Sequence, residues 1–133
     1  EAKAPGLRAR TVEPEGFDDV ARSLAAGRIE RNARMTGSIC DAIVTPAPGE
    51  ITFPILRRLC GPGIAVSDDQ AMAAMAAAFD RLHIVLEPGG AVALAAALYR
   101  PEDLAGEAVI VVASGGNVDP VLHRKAMERF GAS

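Results

Sequence analysis

The polar and apolar positions alternate between two periods along the chain. Leu7 to Val12 (LRARTV) alternates and stops at Pro14, the pattern of a short strand. After the turn EPEGF, Asp18 or Asp19 can N-cap a helix running to Ala26 and closed by Gly27. Residues 28–48 have little periodicity and contain Pro46 and Pro48, so they read as a long irregular excursion. Thr52 is placed to cap a helix with Pro54 in its first turn, ending at Leu59 before Gly61-Pro62-Gly63. Ile64 to Val66 reads as an apolar strand. Ser67 and Gln70 then form a capping-box pair at the start of a helix reaching Leu82. Met72, Met75, Ala76, Phe79 and Leu82 fall on one stripe of that helix, expected to face the core.

His83 to Leu86 is expected to be a buried strand. After Pro88-Gly89-Gly90, the run AVALAAALY is apolar almost all round, which predicts a fully buried helix. Ala108 to Ala113 (AVIVVA) is the strongest strand candidate. Asp119 and Pro120 form a cap and first-turn pair for a last helix to Phe130. Strands that alternate with helices, the later ones continuous apolar runs, predict an α/β fold with a mainly parallel sheet and flanking helices.

Composition narrows the function classes. Half of the 133 residues are hydrophobic but only 4% are aromatic, so small aliphatic side chains must fill the core. A net charge of −3 with scattered arginines gives no footprint for nucleic acid or an anionic membrane. The apolar run Ala91 to Tyr99 is far short of the ~20 residues of a membrane span. The opening EAKAPG has no signal-peptide character. Cys40 and Cys60 lack metal-type spacing and read as reduced thiols. A soluble cytoplasmic domain is the expectation.

In an open parallel sheet, ligands sit beyond the carboxyl ends of the strands. Three such ends carry polar or glycine-rich residues. Ser114-Gly115-Gly116-Asn117 places a hydroxyl at a strand tip where two glycines let a ligand approach, although a plain tight turn is equally consistent. It matches neither a P-loop nor a GxGxxG fingerprint. Glu87 lies between HIVL and PGG, where a helix dipole alone would favour an acid. Glu13 and Asp19 flank a turn and offer the oxygen ligands of a hard cation, yet one of Asp18 and Asp19 acting simply as a helix cap fits the spacing better. His83 and His123 have no visible acid or nucleophile partner and read as structural.

Five motifs in register go further. VEPEGFDD (12–19), SICDAIVTPAPGEITFPILRR (38–58), VSDDQ (66–70), LEPGGAVALAAAL (86–98) and VVASGGNVD (111–119) together resemble the C-terminal half of fold type II pyridoxal-phosphate (PLP) enzymes, the threonine/serine dehydratase and serine racemase family. The resemblance implies that residues 1–133 are a C-terminal fragment of the catalytic domain, part of the large domain of a tryptophan-synthase-β-like fold. It implies that Ser114 hydrogen-bonds the cofactor's pyridine nitrogen, that Gly115 and Asn117 share that turn, that Glu87 stands beside the pocket, and that the Gly49 backbone passes near the ring. It also implies that Glu13, the Phe17 carbonyl and Asp19 bind Mg²⁺ or Ca²⁺, which reverses the reading from spacing.

The family's Schiff-base lysine, substrate loop and tetraglycine phosphate loop belong upstream of these motifs, and Lys3 and Lys125 stand in no matching motif. The expectation is therefore a fragment inert by itself, cut from inside a longer protein and followed by no regulatory domain. The implied activity is β-elimination of water from threonine or serine, giving a 2-oxo acid and ammonia, in a homodimer. Racemisation, a bifunctional enzyme, or a non-catalytic α/β ligand-binding module are the alternatives.

Overall fold

A computed structural model describes residues 3–104, 106 and 108–132. The elements in chain order are β1 (Val12–Pro14), α1 (Asp19–Ala26), α2 (Phe53–Leu59), β2 (Ile64–Val66), α3 (Asp68–Leu82), α4 (Pro88–Tyr99) and α5 (Pro120–Phe130). Short 3-10 turns fall at Asp41–Ile43 and Pro101–Asp103. The α/β character and parallel pairing are as expected: β1 pairs with β2 in parallel, Val12 opposite Ile64 and Pro14 opposite Val66. No helix is long and apolar enough to cross a membrane among the described residues.

Local signals set several helix ends. Ser67 and Gln70 form the reciprocal capping box at the start of α3. Asp119 accepts from the Val121 and Leu122 amides at the start of α5. Gly27 closes α1 in the left-handed conformation. Thr52 differs: it is helical in backbone and its hydroxyl donates back to the Gly49 carbonyl rather than capping α2. Asp18 sits at the N-cap of α1 without a side-chain cap bond.

The core lies where α3 packs on α4 and α5 beneath the two strands. Ile64 and Val66 share one core cluster with Ala71, Met75, Ala91 and Ala95, all buried. Alanine-on-alanine contacts let the helices approach closely, compensating for the shortage of aromatic residues.

Several expectations are corrected. The first strand spans 12–14 rather than 7–12, with a lone parallel bridge from Ala9 to Cys60. Pro62 has no amide proton to donate to the ladder, which breaks between that bridge and β2. His83–Leu86 is not a strand. His83 ends α3 in the left-handed region (φ 57°), its amide donating to Phe79, and Ile84 and Val85 are exposed.

Residues 108–113 form no strand either. Among the described residues their backbone has no ladder partner, and a strand cannot exist without one. The stripe on α3 is buried only in part: Phe79 and Leu82 are 42% and 60% exposed. Helix α4 is buried at 88–92, Ala95 and Ala96, half-buried at Ala93 and Leu94, and Leu98 and Tyr99 emerge at its C-terminal end.

Candidate functional site

Two glycine-rich turns meet at backbone contact. The Glu87 amide donates to the Gly115 carbonyl at 3.1 Å. A Cβ on Gly90 would overlap the Ser114 carbonyl oxygen, and one on Gly116 would stand 2.8 Å from the Val85 carbonyl oxygen. Gly115 adopts φ 70° with its Cα against the Glu87 carboxylate, so a side chain there would be strained and would collide with it. Residues 85–90 and 114–117 therefore form one close crossing at the start of α4. Its need for glycine at 90 was not apparent from the sequence, because the contact spans 24 positions.

A cleft opens on each side of this crossing. The first, about 350 Å³, is lined by Glu87 and Asn117 together with Ser38, Ile39, Asp41 and Ala42. The second, about 290 Å³, is lined by Ser114 with Arg10, Val12, Val92, Ile110 and Val112. Gly89 belongs to both. Ile110, Val112 and Ser114 are alternate residues on one wall, the period of extended chain.

The structure thus brings Glu87, Ser114, Gly115 and Asn117 to one crossing. Gly49 lines neither cleft; its carbonyl accepts from the Phe53 amide (2.9 Å) and the Thr52 hydroxyl (3.1 Å), which fixes the turn into α2.

The 38–42 wall of the first cleft is held from a distance. Ser38 Oγ donates to Asp68 Oδ1 at 2.7 Å, and the Ile39 amide donates to Asp68 Oδ2 at 3.3 Å. Ser38 Oγ in turn accepts from the Cys40 amide at 3.0 Å. Cys40 itself is buried, and burial pushes its thiol up to about 11, so it stays protonated and unreactive. Neither cysteine is in a disulfide.

Glu13, Phe17 and Asp19 form a second locus at the end of β1. Glu13 Oε1 and Oε2 accept from the Val20 and Ala21 amides at 2.9 and 2.8 Å, so this residue, not Asp18, satisfies the first turn of α1. Burial pushes the Glu13 carboxyl up to about 7, outweighing those two amides, and the Asp19 and Asp18 charges add to the rise.

Asp19 is fully buried. Its Oδ1 accepts from Asn32 Nδ2 at 2.6 Å and its Oδ2 from the Thr45 hydroxyl at 3.4 Å. Phe17 is buried, with the Arg34 guanidinium 5.1 Å from its ring centre. Among the described residues no three His, Cys, Asp or Glu side chains converge as a metal cage. The expected set is smaller, two carboxylates and a carbonyl.

The remaining candidates stand apart. Lys3 and Lys125 are exposed and line neither cleft. His123 packs edge-on against Phe79 at 5.4 Å, and its Nε2 is buried without a partner. It serves the α3–α5 seam, as expected of a structural histidine.

Two clefts thus flank the crossing of the Glu87 and Ser114 turns, and both are lined by Gly89. Residues 1–115 match the family model described as "Pyridoxal-phosphate dependent enzyme", and the chain belongs to that family. It is 35% identical over 120 residues to serine racemase from Dictyostelium discoideum, covering 86% of this chain and 36% of that protein. It is 36% identical over 116 residues to L-threonine ammonia-lyase from Geobacter sulfurreducens, covering 86% and 28%. The structure of the processed form of threonine deaminase isoform 2 from Solanum lycopersicum superposes with a TM-score of 0.85 at 29% identity, over 98% of this chain and 38% of that one. The chain spans about a third of the length of the curated relatives it matches.

Proposed function

We propose that the chain supplies the pyridine-nitrogen side of the cofactor site in a PLP-dependent ammonia-lyase acting on a hydroxy-amino acid, threonine or serine. The observation that carries this reading is the crossing of the Glu87 and Ser114 turns, in a chain of the PLP-dependent family. The residues fit the cofactor. Ser114 Oγ has no hydrogen-bond partner among the described residues and lines a cleft whose Gly89 and Ala93 leave room for a planar ring.

When bound, PLP supplies an electron sink for charge developing at the substrate α-carbon. Ser114 donates its hydroxyl proton toward the ring nitrogen as a neutral partner, which leaves that nitrogen less protonated than a carboxylate would. Gly115 and Asn117 hold the turn that aims Ser114, and Glu87 borders the neighbouring cleft. Gly49 serves through its backbone at the start of α2. Lys3 and Lys125 lie outside both clefts, so neither is placed to bond covalently to a carbonyl cofactor. These 133 residues alone are accordingly inert in this reading, as the C-terminal portion of a cytoplasmic, homodimeric catalytic domain.

Glu13, the Phe17 carbonyl and Asp19 are the proposed ligands of Mg²⁺ or Ca²⁺. In support, they are the all-oxygen donors such ions take, and a cation would offset the cost of an ionised, partly buried Glu13. The metal would stabilise the turn between β1 and α1.

Among the similar proteins are both ammonia-lyases and serine racemases, which keeps racemisation as the second reading. The test is borohydride trapping after PLP addition, with peptide mapping, alongside assay of 2-oxo acid, ammonia and residual serine chirality. Elimination products from a lysine-bearing holoenzyme support the lyase reading, and D-serine without 2-oxo acid moves it to racemase. Specific labelling of Lys3 or Lys125 would overturn the claim that this chain is inert.

A further inference from the structure

We infer that Asp68 is a positioning residue for the first cleft, acting through Ser38 and Ile39. This rests on the reading of that cleft as part of the cofactor and substrate site. Three features carry it. Asp68 is the first residue of α3, a helix fixed by its own capping box and packed in the core, so its carboxylate projects from a rigid platform. Both carboxylate oxygens are spent on one short strip: Oδ1 on the Ser38 hydroxyl at 2.7 Å and Oδ2 on the Ile39 amide at 3.3 Å. That strip, Ser38, Ile39, Asp41 and Ala42, lines the cleft that also contains Glu87 and Asn117.

Apart from the buried Cys40 side chain and the packing of Ile39 and Ile43 against the core, these are the polar anchors of the strip. It belongs to the long excursion between α1 and α2, and its only regular structure is the 3-10 turn Asp41–Ile43. The chain of bonds is polarised in one direction. The Cys40 amide donates to Ser38 Oγ, which donates to Asp68, so the hydroxyl is committed at both ends and cannot rotate into the cleft. Hydrogen bonds to a carboxylate are the stronger kind. Ser67 and Gln70 suffice to cap α3, which leaves Asp68 free for the loop. Asp69, its neighbour, instead makes a bidentate pair with Arg129 at 2.8 and 2.9 Å and serves α5.

The experiment compares the unsubstituted chain with D68A, S38A and, as a first-turn charge control, D69N. Amide hydrogen exchange is read by mass spectrometry at residues 39–43 and within α3, and PLP affinity is read from the cofactor's absorbance in the lysine-bearing holoenzyme carrying the same substitutions. D68A and S38A are expected to speed exchange at 39–43 by about tenfold or more, with residues 72–78 unchanged. Both should weaken PLP binding, whereas D69N should leave residues 39–43 protected.

If D68A does not fold, S38A carries the same prediction with α3 intact. Unchanged exchange at 39–43 in the folded variants, or an equal rise in D69N, overturns the proposal. If exchange responds as stated while PLP affinity of the lysine-bearing holoenzyme is the same with and without the substitutions, the latch stands and the cofactor reading of the cleft is what has failed.

Discussion

The carbonyl oxygen of Ser114 occupies the space that a Cβ on residue 90 would need. Gly90 lies in the first turn of α4, an element held by core alanines, so its backbone cannot retreat from the contact. The contact locks the serine turn onto the Glu87 turn and sets the distance between the two clefts.

Gly90→Ala is therefore expected to lower stability by roughly 1–3 kcal/mol, the usual range for overpacking a tight site. Helix propensity alone would favour alanine here by up to about 1 kcal/mol, so the sign of the change separates the two effects. Chemical denaturation of the variant decides it: a more stable Gly90→Ala protein would mean that the crossing is not tight.

Glu13 gives the chain a pH dependence with a definite sign. Its carboxyl is raised from 4.5 to about 7 in the folded state, chiefly by burial, so between those values the folded chain holds a proton that the unfolded chain has released. The stability associated with this group is fully present below the unfolded value and is lost as pH rises through about 7. Unfolding midpoints should fall from pH 5 to pH 7.5 and then level. Glu13→Gln should flatten that slope while giving up one of the two amide bonds to α1, at a cost of about 1 kcal/mol. Millimolar Mg²⁺ or Ca²⁺ should also flatten it if Glu13, Phe17 and Asp19 bind the ion, because the cation favours the carboxylate. A slope that persists unchanged in Glu13→Gln assigns the pH dependence to another group.

The contrast between Gly90 and the helix caps shows what a sequence exposes. Ser67 with Gln70, Asp119 with Pro120, and Gly27 act within four residues, and each did in the structure what its local pattern predicts. Strand readings at 83–86 and 108–113 were wrong for one shared reason: apolar runs record a tendency, but a strand also needs a hydrogen-bonding neighbour. Phe79 and Leu82 carry helical periodicity and yet stay largely uncovered, since periodicity marks a face without saying what covers it. The candidate site was legible through motif resemblance at Glu87 and Ser114. The Asp68–Ser38 latch was not, because its partners lie 30 residues apart with no local signature.

Ser114 supplies the sharpest test of the cofactor reading. Its hydroxyl is exposed at the turn and supports nothing else among the described residues, so Ser114→Ala should leave stability within about 0.5 kcal/mol of the parent. Affinity for PLP should fall by roughly tenfold, the equivalent of one lost hydrogen bond of about 1.4 kcal/mol. Ser114→Asp should instead raise the proton affinity of the ring nitrogen and shift the absorbance of the bound cofactor. If neither substitution changes PLP affinity or spectrum, Ser114 does not face the ring.

Residues 108–113 carry a prediction about association. Ile110 and Val112 are 82% and 70% exposed, Val109 is also exposed, and no ladder partner satisfies this run among the described residues. An apolar extended segment with free amides and carbonyls is a template for pairing with another chain. Sedimentation velocity on the isolated chain should show a weight-average mass that rises with concentration. A double substitution, Ile110→Lys with Val112→Lys, should restore monomer behaviour without lowering the unfolding midpoint, because neither side chain is buried in the core. A wild-type chain that sediments as a clean monomer at high concentration would mean that this run is covered from within the chain itself.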